Sequence, residues 1–153
     1  MKLIAHRGLV EGPNVDLENK PDQINLILSQ GIDCEIDLWM IGSKLYLGHD
    51  KADYLIDENF LNQQGLWIHA KNLAALNWLT DKPLCYFWHE RDKFTLTSTK
   101  IIWTYPGQDL TKNSVLVLPE WNDPEFQNLP VDCHGICSDY ITKLKEKIYD
   151  YSS

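Results

Sequence analysis

Apolar residues recur along the chain in short runs that are separated by helical or turn-rich stretches. Runs of three to eight apolar or alternating residues, bounded by Gly, Pro, Asn or Asp, are typical of strands. The run at residues 34–41 is followed by Gly42 and a second run, which predicts a hairpin. The pattern as a whole predicts strands at residues 3–5, 34–41, 45–47, 66–70, 84–88, 101–105, 115–118 and 135–140.

Helical spacing occurs at fewer places. Pro21 is suited to the first turn of a helix that Gly31 ends, and Asn72 is suited to cap a helix that ends before Pro83. Residues 57–64 predict a short helix, and the last helix has its apolar face at Ile141, Leu144 and Ile148.

Alternation of strands and helices favours an α/β fold with a parallel sheet and right-handed crossovers. About seven main strands in 153 residues predict a shortened TIM-like (β/α) barrel, since a full barrel normally uses ~250 residues. Residues 91–100, 106–114 and 121–130 lack helical periodicity, so we expect loops in place of several crossover helices. The barrel is therefore expected to be incomplete or distorted, with residues 1–153 forming one domain.

The charge and the cysteines restrict the classes of partner and compartment. A formal net charge of −8 disfavours binding along nucleic acid. No apolar run approaches the ~20 residues of a membrane span, and the polar start does not resemble a signal peptide. Cys133 and Cys137, with His134 between them, invite a zinc interpretation, but the chain offers no second such element, so packing thiols are expected. A cytoplasmic location is the resulting expectation.

Two carboxylates on the second strand give the clearest chemical signal. Glu35 and Asp37 are two residues apart, so both side chains point to the same side of the sheet. Buried side by side, they repel each other unless a cation or proton lies between them, and hard divalent ions prefer such oxygen ligands. The alternative is that one carboxylate pairs with a lysine and the other reaches solvent. His69 and Lys71 share a face of the next long strand in the same way.

Two histidines lie beside glycines just after apolar runs. His6 with Arg7 follows the first strand, and His49 follows the predicted hairpin. Residues at strand ends reach into active sites more often than residues within strands. A single histidine is usually structural, whereas two such histidines near an arginine and two carboxylates favour catalysis.

These segments resemble the N-terminal signature of the glycerophosphodiester phosphodiesterases, whose wider superfamily includes the phosphatidylinositol-specific phospholipases C. The matching segments are "LIAHRG", "LENK", "GIDCEIDLWM" and "LYLGHD", in that order, and "WIHAK" and "VDCHGICSDY" resemble later elements of the family. The first ~70 residues carry the resemblance, which is more specific than any one motif. Residues 73–130 carry little of it.

The resemblance implies a role for each matching residue. His6 and His49 would be the acid–base pair, and Arg7 would hold a phosphate oxygen. Glu35 and Asp37 would bind Mg²⁺ or Ca²⁺. Glu18, Asn19 and Lys71 would contact or support the substrate, and a substrate hydroxyl would attack phosphorus to give a cyclic phosphate.

His69 stands where the family has a third carboxylate ligand. An imidazole suits Mn²⁺ or Zn²⁺ better than Ca²⁺, and it removes one negative charge from the site. Three interpretations stay open: a metal site that includes His69, a weaker site of two carboxylates, and a site without metal in which protonated His69 neutralises the carboxylates. We expect a metal, with Mn²⁺ as an alternative to Mg²⁺ or Ca²⁺.

The leading function is cleavage of a small glycerol- or sugar-phosphate diester. The alternatives are a barrel remnant that binds a phosphate ester without cleaving it and a metal-independent lyase that stops at the cyclic phosphate. Trp103 is expected either to contact substrate at the barrel mouth or to fill the core. Apolar flanks left by missing helices would favour a homodimer.

Overall fold

The computed structural model describes residues 1–152. The helices are α1 (Pro21–Ser29), α2 (Leu73–Leu79) and α3 (Ile141–Ser152), with 3-10 turns at Glu58–Asn62 and Pro119–Trp121. The strands are β1 (Lys2–His6), β2 (Asp33–Ile41), β3 (Lys44–Leu47), β4 (Tyr54–Ile56), β5 (Leu66–Ala70), β6 (Tyr86–Phe87), β7 (Phe94–Leu96), β8 (Ile102–Thr104), β9 (Ser114–Val117) and β10 (Gly135–Ser138).

All ten strands belong to one mixed sheet. Parallel pairs run in the order β6-β5-β2-β1-β10-β9-β8. Antiparallel pairs join β2 to β3, β3 to β4 and β7 to β8. The strand β2 is nine residues long, so its first half pairs with β1 and β5 while its second half continues into the hairpin with β3.

The sheet is curled, and its two faces bury different groups. Its convex side packs against the three helices, with Ile24 and Ile27 of α1, Leu79 of α2 and Leu144 of α3 in the main core. Its concave side holds a second cluster, called the inner core below, in which Phe87 of β6 stacks on Trp103 of β8 at 4.6 Å between ring centroids. The curl therefore brings β6 and β8, the two outermost strands of the parallel order, into contact through their side chains.

The expectation of a TIM-like (β/α) barrel is wrong. The structure is a curled, half-barrel sheet of mixed strands with three short helices, not an alternation of strands and helices around a closed barrel. Within residues 1–152, helices follow only β1, β5 and β10, while β6, β8 and β9 are followed by loops, turns or a hairpin strand. The hairpins at β2–β3–β4 and β7–β8 add antiparallel pairs that a (β/α) barrel does not contain.

Most individual elements are confirmed. Each predicted apolar run contains a strand, and the predicted helix over 57–64 is a 3-10 turn whose Phe60 N–H is capped by Asp57. The prediction of a loop over 91–100 is wrong where β7 lies, and β4 was not predicted. Among residues 1–152, no helix combines the length and the apolar character needed to cross a membrane.

Candidate active site

A cavity of about 350 Å³ opens on the concave side of the sheet, where most parallel strands end. Ends of parallel strands are the usual place for ligands in sheets of this kind. Side chains from β1, β2 and β5 form one wall, and residues at or after β6, β8 and β9 form the other. The lining residues are His6, Arg7, Glu35, Asp37, His49, His69, Lys71, His89, Glu90, Trp103, Tyr105, Pro106, Val117, Leu118 and Trp121.

Strand register brings the predicted residues together. His6 of β1 is paired with Glu35 of β2, and Asp37 of β2 is paired with His69 of β5. Glu35 and Asp37 point into the cavity and are only 2% and 1% exposed. Their strand neighbours Ile36 and Leu38 point to the other face and join the main core, as the alternation predicted.

Asp37 is surrounded by donors and cations. The Asn19 amide donates to Asp37 Oδ2 at 2.8 Å, and Asn19 Oδ1 accepts the Asp37 backbone N–H at 2.9 Å. His69 Nδ1 lies 3.2 Å and Lys71 Nζ 3.9 Å from Asp37 Oδ1. Burial opposes the charge of Asp37, but His69, Arg7 and Asn19 outweigh it and hold the pKa of this carboxyl below its usual range.

Glu35 has weaker compensation on the same strand. Its Oε2 accepts the Arg7 backbone N–H at 3.2 Å and lies 3.7 Å from His6 Nε2, and its Oε1 lies 4.0 Å from His69 Nδ1. Burial first, and then the charge of Asp37, raise the pKa of Glu35. Two carboxylates on one strand therefore differ in protonation tendency because their partners differ.

His6 is oriented from behind by Asp139. The His6 Nδ1 lies 2.8 Å from Asp139 Oδ1, just after β10. An ionised carboxylate only accepts, so Nδ1 carries the proton of this hydrogen bond and Nε2 points towards Glu35. Burial alone would lower the pKa of His6, but the hydrogen bond to Asp139 and the Glu35 charge raise it.

Arg7 adopts a backbone conformation that is uncommon for a non-glycine residue. Its φ is +54°, and such strain is often found at functional sites. Its NH1 donates to Glu18 Oε2 at 3.1 Å, while its Nε is buried without a hydrogen bond, 3.5 Å from Asp37 Oδ2. Burial opposes the charge, but Asp37 and Glu35 outweigh it and raise the pKa of Arg7.

His49 lies in the turn after β3 and lines the cavity. The Trp39 indole donates to the Gly48 carbonyl at 2.7 Å, and a Cβ on Gly48 would collide with the Lys51 carbonyl, so glycine is required in this turn. His49 Nδ1 is 2.9 Å from Asp50 Oδ1. Partial burial and then the charge of Arg7 lower the pKa of His49.

Glu35, Asp37 and His69 each place a ligand atom within 4.8 Å of the other two. His69 Nε2 is 2.8 Å from the His89 carbonyl, which only accepts, so Nε2 carries a proton and Nδ1 is the nitrogen that faces the carboxylates. A donor set of two carboxylate oxygens and one imidazole nitrogen fits a divalent cation. Among residues 1–152, this is the one group of three or more such side chains with ligand spacing.

The remaining predicted residues take different places. Lys71 and Trp103 line the cavity, and Trp103 is also 3% exposed in the inner core. Glu18 and Asn19 do not line the cavity. They contact residues that do: Glu18 contacts Arg7, and Asn19 contacts Asp37. Cys133 and Cys137 are free thiols in buried positions.

Sequence reasoning missed Asp139 as the partner of His6. The two residues are far apart in the sequence and meet only because β10 pairs with β1. Glu120 lies behind Asp139: its carboxylate accepts the Asp139 N–H at 2.8 Å and the Ser138 hydroxyl at 3.0 Å. Burial raises the pKa of Glu120. The usable signal was that both acidic residues follow apolar runs.

Comparison with known proteins found no match to this chain among family models, curated proteins or solved structures. The geometry of the cavity is therefore the basis on which a function can be inferred.

Proposed function

We propose that the protein is a phosphodiesterase that cleaves a small phosphodiester by acid–base catalysis, with His6 and His49 as the proton-transfer pair. The observation that carries the proposal is the His6–Asp139 hydrogen bond in a cavity that His49, Arg7 and Lys71 also line. An imidazole held at Nδ1 by a buried carboxylate exchanges protons at Nε2 in a fixed direction. This agrees with the role that the sequence resemblance implies.

In this mechanism one imidazole accepts the proton of the attacking oxygen, and the other gives a proton to the leaving alkoxide as the phosphorus–oxygen bond breaks. A substrate hydroxyl or water supplies the attacking oxygen. The phosphate oxygens bind to Arg7 and Lys71, the two permanent cations of the cavity. Asp37 and Glu18 hold the Arg7 guanidinium in position.

Charge balance supports a divalent cation as a further part of the site. The cavity is lined by two permanent cations and three carboxylates, which are Glu35, Asp37 and Glu90. An anionic diester therefore needs more positive charge than the side chains supply when the histidines are neutral. We propose that Glu35, Asp37 and His69 hold Mg²⁺ or Ca²⁺, or Mn²⁺ in view of the imidazole. When bound, the ion would neutralise charge that develops on the phosphoryl oxygens.

One contact favours a second candidate, a metal-independent lyase that forms a cyclic phosphate. His69 Nδ1 lies 3.2 Å from Asp37 Oδ1, which is hydrogen-bond distance for an imidazolium. In that form, His69, Arg7 and Lys71 neutralise the two carboxylates without a metal.

Hydrolysis of bis(p-nitrophenyl) phosphate tests the proton-transfer pair. We expect His6→Ala and His49→Ala each to lower kcat/KM about 10²- to 10⁴-fold, the usual contribution of a general acid or base. The matched control is His134→Ala, because His134 lies at the opposite end of β10, edge-on to Trp67. Activity that is unchanged in His6→Ala contradicts the proposal. Binding without cleavage of any diester would favour a non-catalytic phosphate-ester-binding protein.

Metal binding is tested on the folded chain itself. A cation that binds only the folded state raises the Tm, so we expect Mn²⁺ or Mg²⁺ to raise the Tm of the wild type and to have less effect on Glu35→Gln. Activity that survives EDTA, together with an unchanged Tm, contradicts the metal site and favours the lyase.

We also propose that the protein acts in the cytoplasm on a small diester and does not bind nucleic acid. Its four cysteines are free thiols, which suits a reducing compartment, and its net charge of −8 repels polyanions. A homodimer stays a prediction.

A further inference from the structure

The two walls of the cavity differ in chemistry. We define the charged wall as His6, Arg7, Glu35, Asp37, His69 and Lys71, from β1, β2 and β5. We define the aromatic wall as Trp103, Tyr105, Pro106, Val117, Leu118 and Trp121, from the ends of β8 and β9 and the turn after β9. The aromatic wall itself carries no ionisable group apart from the Tyr105 phenol, but His89 and Glu90, which follow β6, line the cavity beside it, and the His89 ring lies 6.0 Å from the Tyr105 ring between centroids.

Within the aromatic wall, the rings continue from the core to the rim. Trp103 stacks on Phe87 in the inner core. Tyr105 is partly buried at the mouth and meets Trp121 edge-on, at 6.4 Å between centroids and 82° between ring planes. Trp121 is 61% exposed. Trp121 lines the cavity together with Tyr105, and tryptophan and tyrosine are enriched at binding interfaces because they combine a large apolar surface with a polar group.

We propose that the aromatic wall binds a flat, uncharged ring on the alcohol component of the diester. This inference rests on the proposed function, because the phosphate on the charged wall fixes which part of the substrate reaches the aromatic wall. The wall offers only two indole N–H groups and one phenol hydroxyl as side-chain hydrogen-bonding groups, which is too few to replace the water around a polyol such as glycerol. A ring exposes faces that stack on aromatic side chains without needing hydrogen bonds.

The size of the cavity limits the substrate further. About 350 Å³ is near the lower end of ligand cavities, which span ~300–1,000 Å³. It has room for a phosphate and one ring system, so a long acyl chain would project into solvent. A quaternary ammonium group also binds aromatic rings, and the Glu90 carboxylate lines the same cavity, so a cationic headgroup is the competing ligand that the test must separate from a neutral ring.

The test measures binding of phosphate monoesters by calorimetry, so it does not depend on turnover. In wild type with Mn²⁺ present, we expect phenyl phosphate to bind about ten-fold more tightly than methyl phosphate, because the ring buries more apolar surface. Trp121→Ala should remove most of this preference. Phe94→Ala is the matched control, because Phe94 is an exposed aromatic residue on β7 that does not line the cavity.

Equal affinity for phenyl and methyl phosphate overturns the inference, as does the absence of phenyl phosphate binding. Tighter binding of phosphocholine than of phenyl phosphate also overturns it, since the wall would then receive a cation. A preference for phenyl phosphate in a chain that cleaves no diester contradicts the proposed function and leaves the ring-binding inference standing. Cleavage of diesters without a preference for phenyl phosphate supports the proposed function and contradicts the ring-binding inference.

Discussion

The charged wall and the aromatic wall face each other across one cavity, but they are held in place by different forces. On the charged wall, each side chain is fixed by directional contacts to its neighbours, as when Asn19 makes two hydrogen bonds with Asp37. On the aromatic wall, Trp103 and Leu118 are fixed by burial in the inner core. Directional contacts define positions to a fraction of an ångström, while packing defines a shape.

The difference has a consequence for substitutions. Removing one charged side chain leaves its partners buried and unpaired, so the loss of stability exceeds the free energy that the contact itself contributes. Removing an apolar side chain costs an amount that scales with its buried area. The charged wall should therefore be sensitive at every position, and the aromatic wall should be sensitive only where it is buried.

Among substitutions on the charged wall, Asp37→Ala is expected to have the largest effect on stability. It leaves Arg7, Lys71 and His69 without their shared carboxylate, and breaking a buried ion pair costs about 3–5 kcal/mol. Urea unfolding at neutral pH measures the loss in the free energy of unfolding. Asp50→Ala is the control, because the Asp50 side chain is 90% exposed. A loss for Asp37→Ala as small as that of the control would contradict the account of the charged wall.

Asn19 should show an intermediate effect that depends on the replacement. Its φ is +58° and its amide pairs with Asp37. Asn19→Ala loses the hydrogen bonds and strains the backbone, at a cost of roughly 2–4 kcal/mol, whereas Asn19→Gly keeps the conformation and should lose about 1 kcal/mol less. Urea unfolding of both variants separates the two contributions, and a glycine variant no more stable than the alanine variant would show that the hydrogen bonds account for the whole loss.

The strand pattern made part of the charged wall predictable. A period of two placed Glu35 and Asp37 on one face and Ile36 and Leu38 on the other, and the structure confirms this alternation. The register that pairs Asp37 with His69 depends on which strands are neighbours, and local sequence does not encode that order. The contact of His6 with Asp139 depends on the pairing of β1 with β10 in the same way.

The fold class was not predictable from the same signals. The hairpin after β2 was recognised, and the later predicted runs do pair in parallel, but β4 and β7 were not predicted, and they add antiparallel pairs to the sheet. The segment Phe94–Leu96 lies within residues 91–100, for which the lack of helical periodicity predicts a loop. It forms an antiparallel edge strand on β8. A three-residue strand is stabilised by its neighbour, so its own sequence carries little signal.

The pH dependence of stability tests how Glu120, in the turn after β9, holds Asp139. Burial raises the pKa of Glu120 above its ordinary value of 4.5 in the folded state. The folded state therefore binds this proton more tightly than the unfolded state, and the contribution of Glu120 to stability is lost as pH rises through the raised pKa. Glu120→Gln keeps an oxygen for the Asp139 N–H without the titration.

We therefore expect Glu120→Gln to gain stability relative to wild type between pH 4 and pH 7, because only the wild type has to release the Glu120 proton from its buried position as the pH rises. Urea unfolding at the two pH values measures the change. A relative stability that is independent of pH, or one that falls with rising pH, would show that the buried carboxylate is not held in this way.

Trp121→Ala is expected to have the smallest effect on stability, although it lies in the same turn as Glu120. Because the indole is 61% exposed, its loss should change the free energy of unfolding by no more than about 0.5 kcal/mol, as is usual for surface positions. Trp103→Ala, on the same wall but 3% exposed, should cost about 3–5 kcal/mol. Urea unfolding compares the two.

If Trp121→Ala leaves stability unchanged and still removes the preference for phenyl phosphate, that preference comes from contact with the ligand and not from a damaged fold. A large loss of stability would instead show that Trp121 supports the wall as packing, and the difference between its buried and exposed parts would disappear.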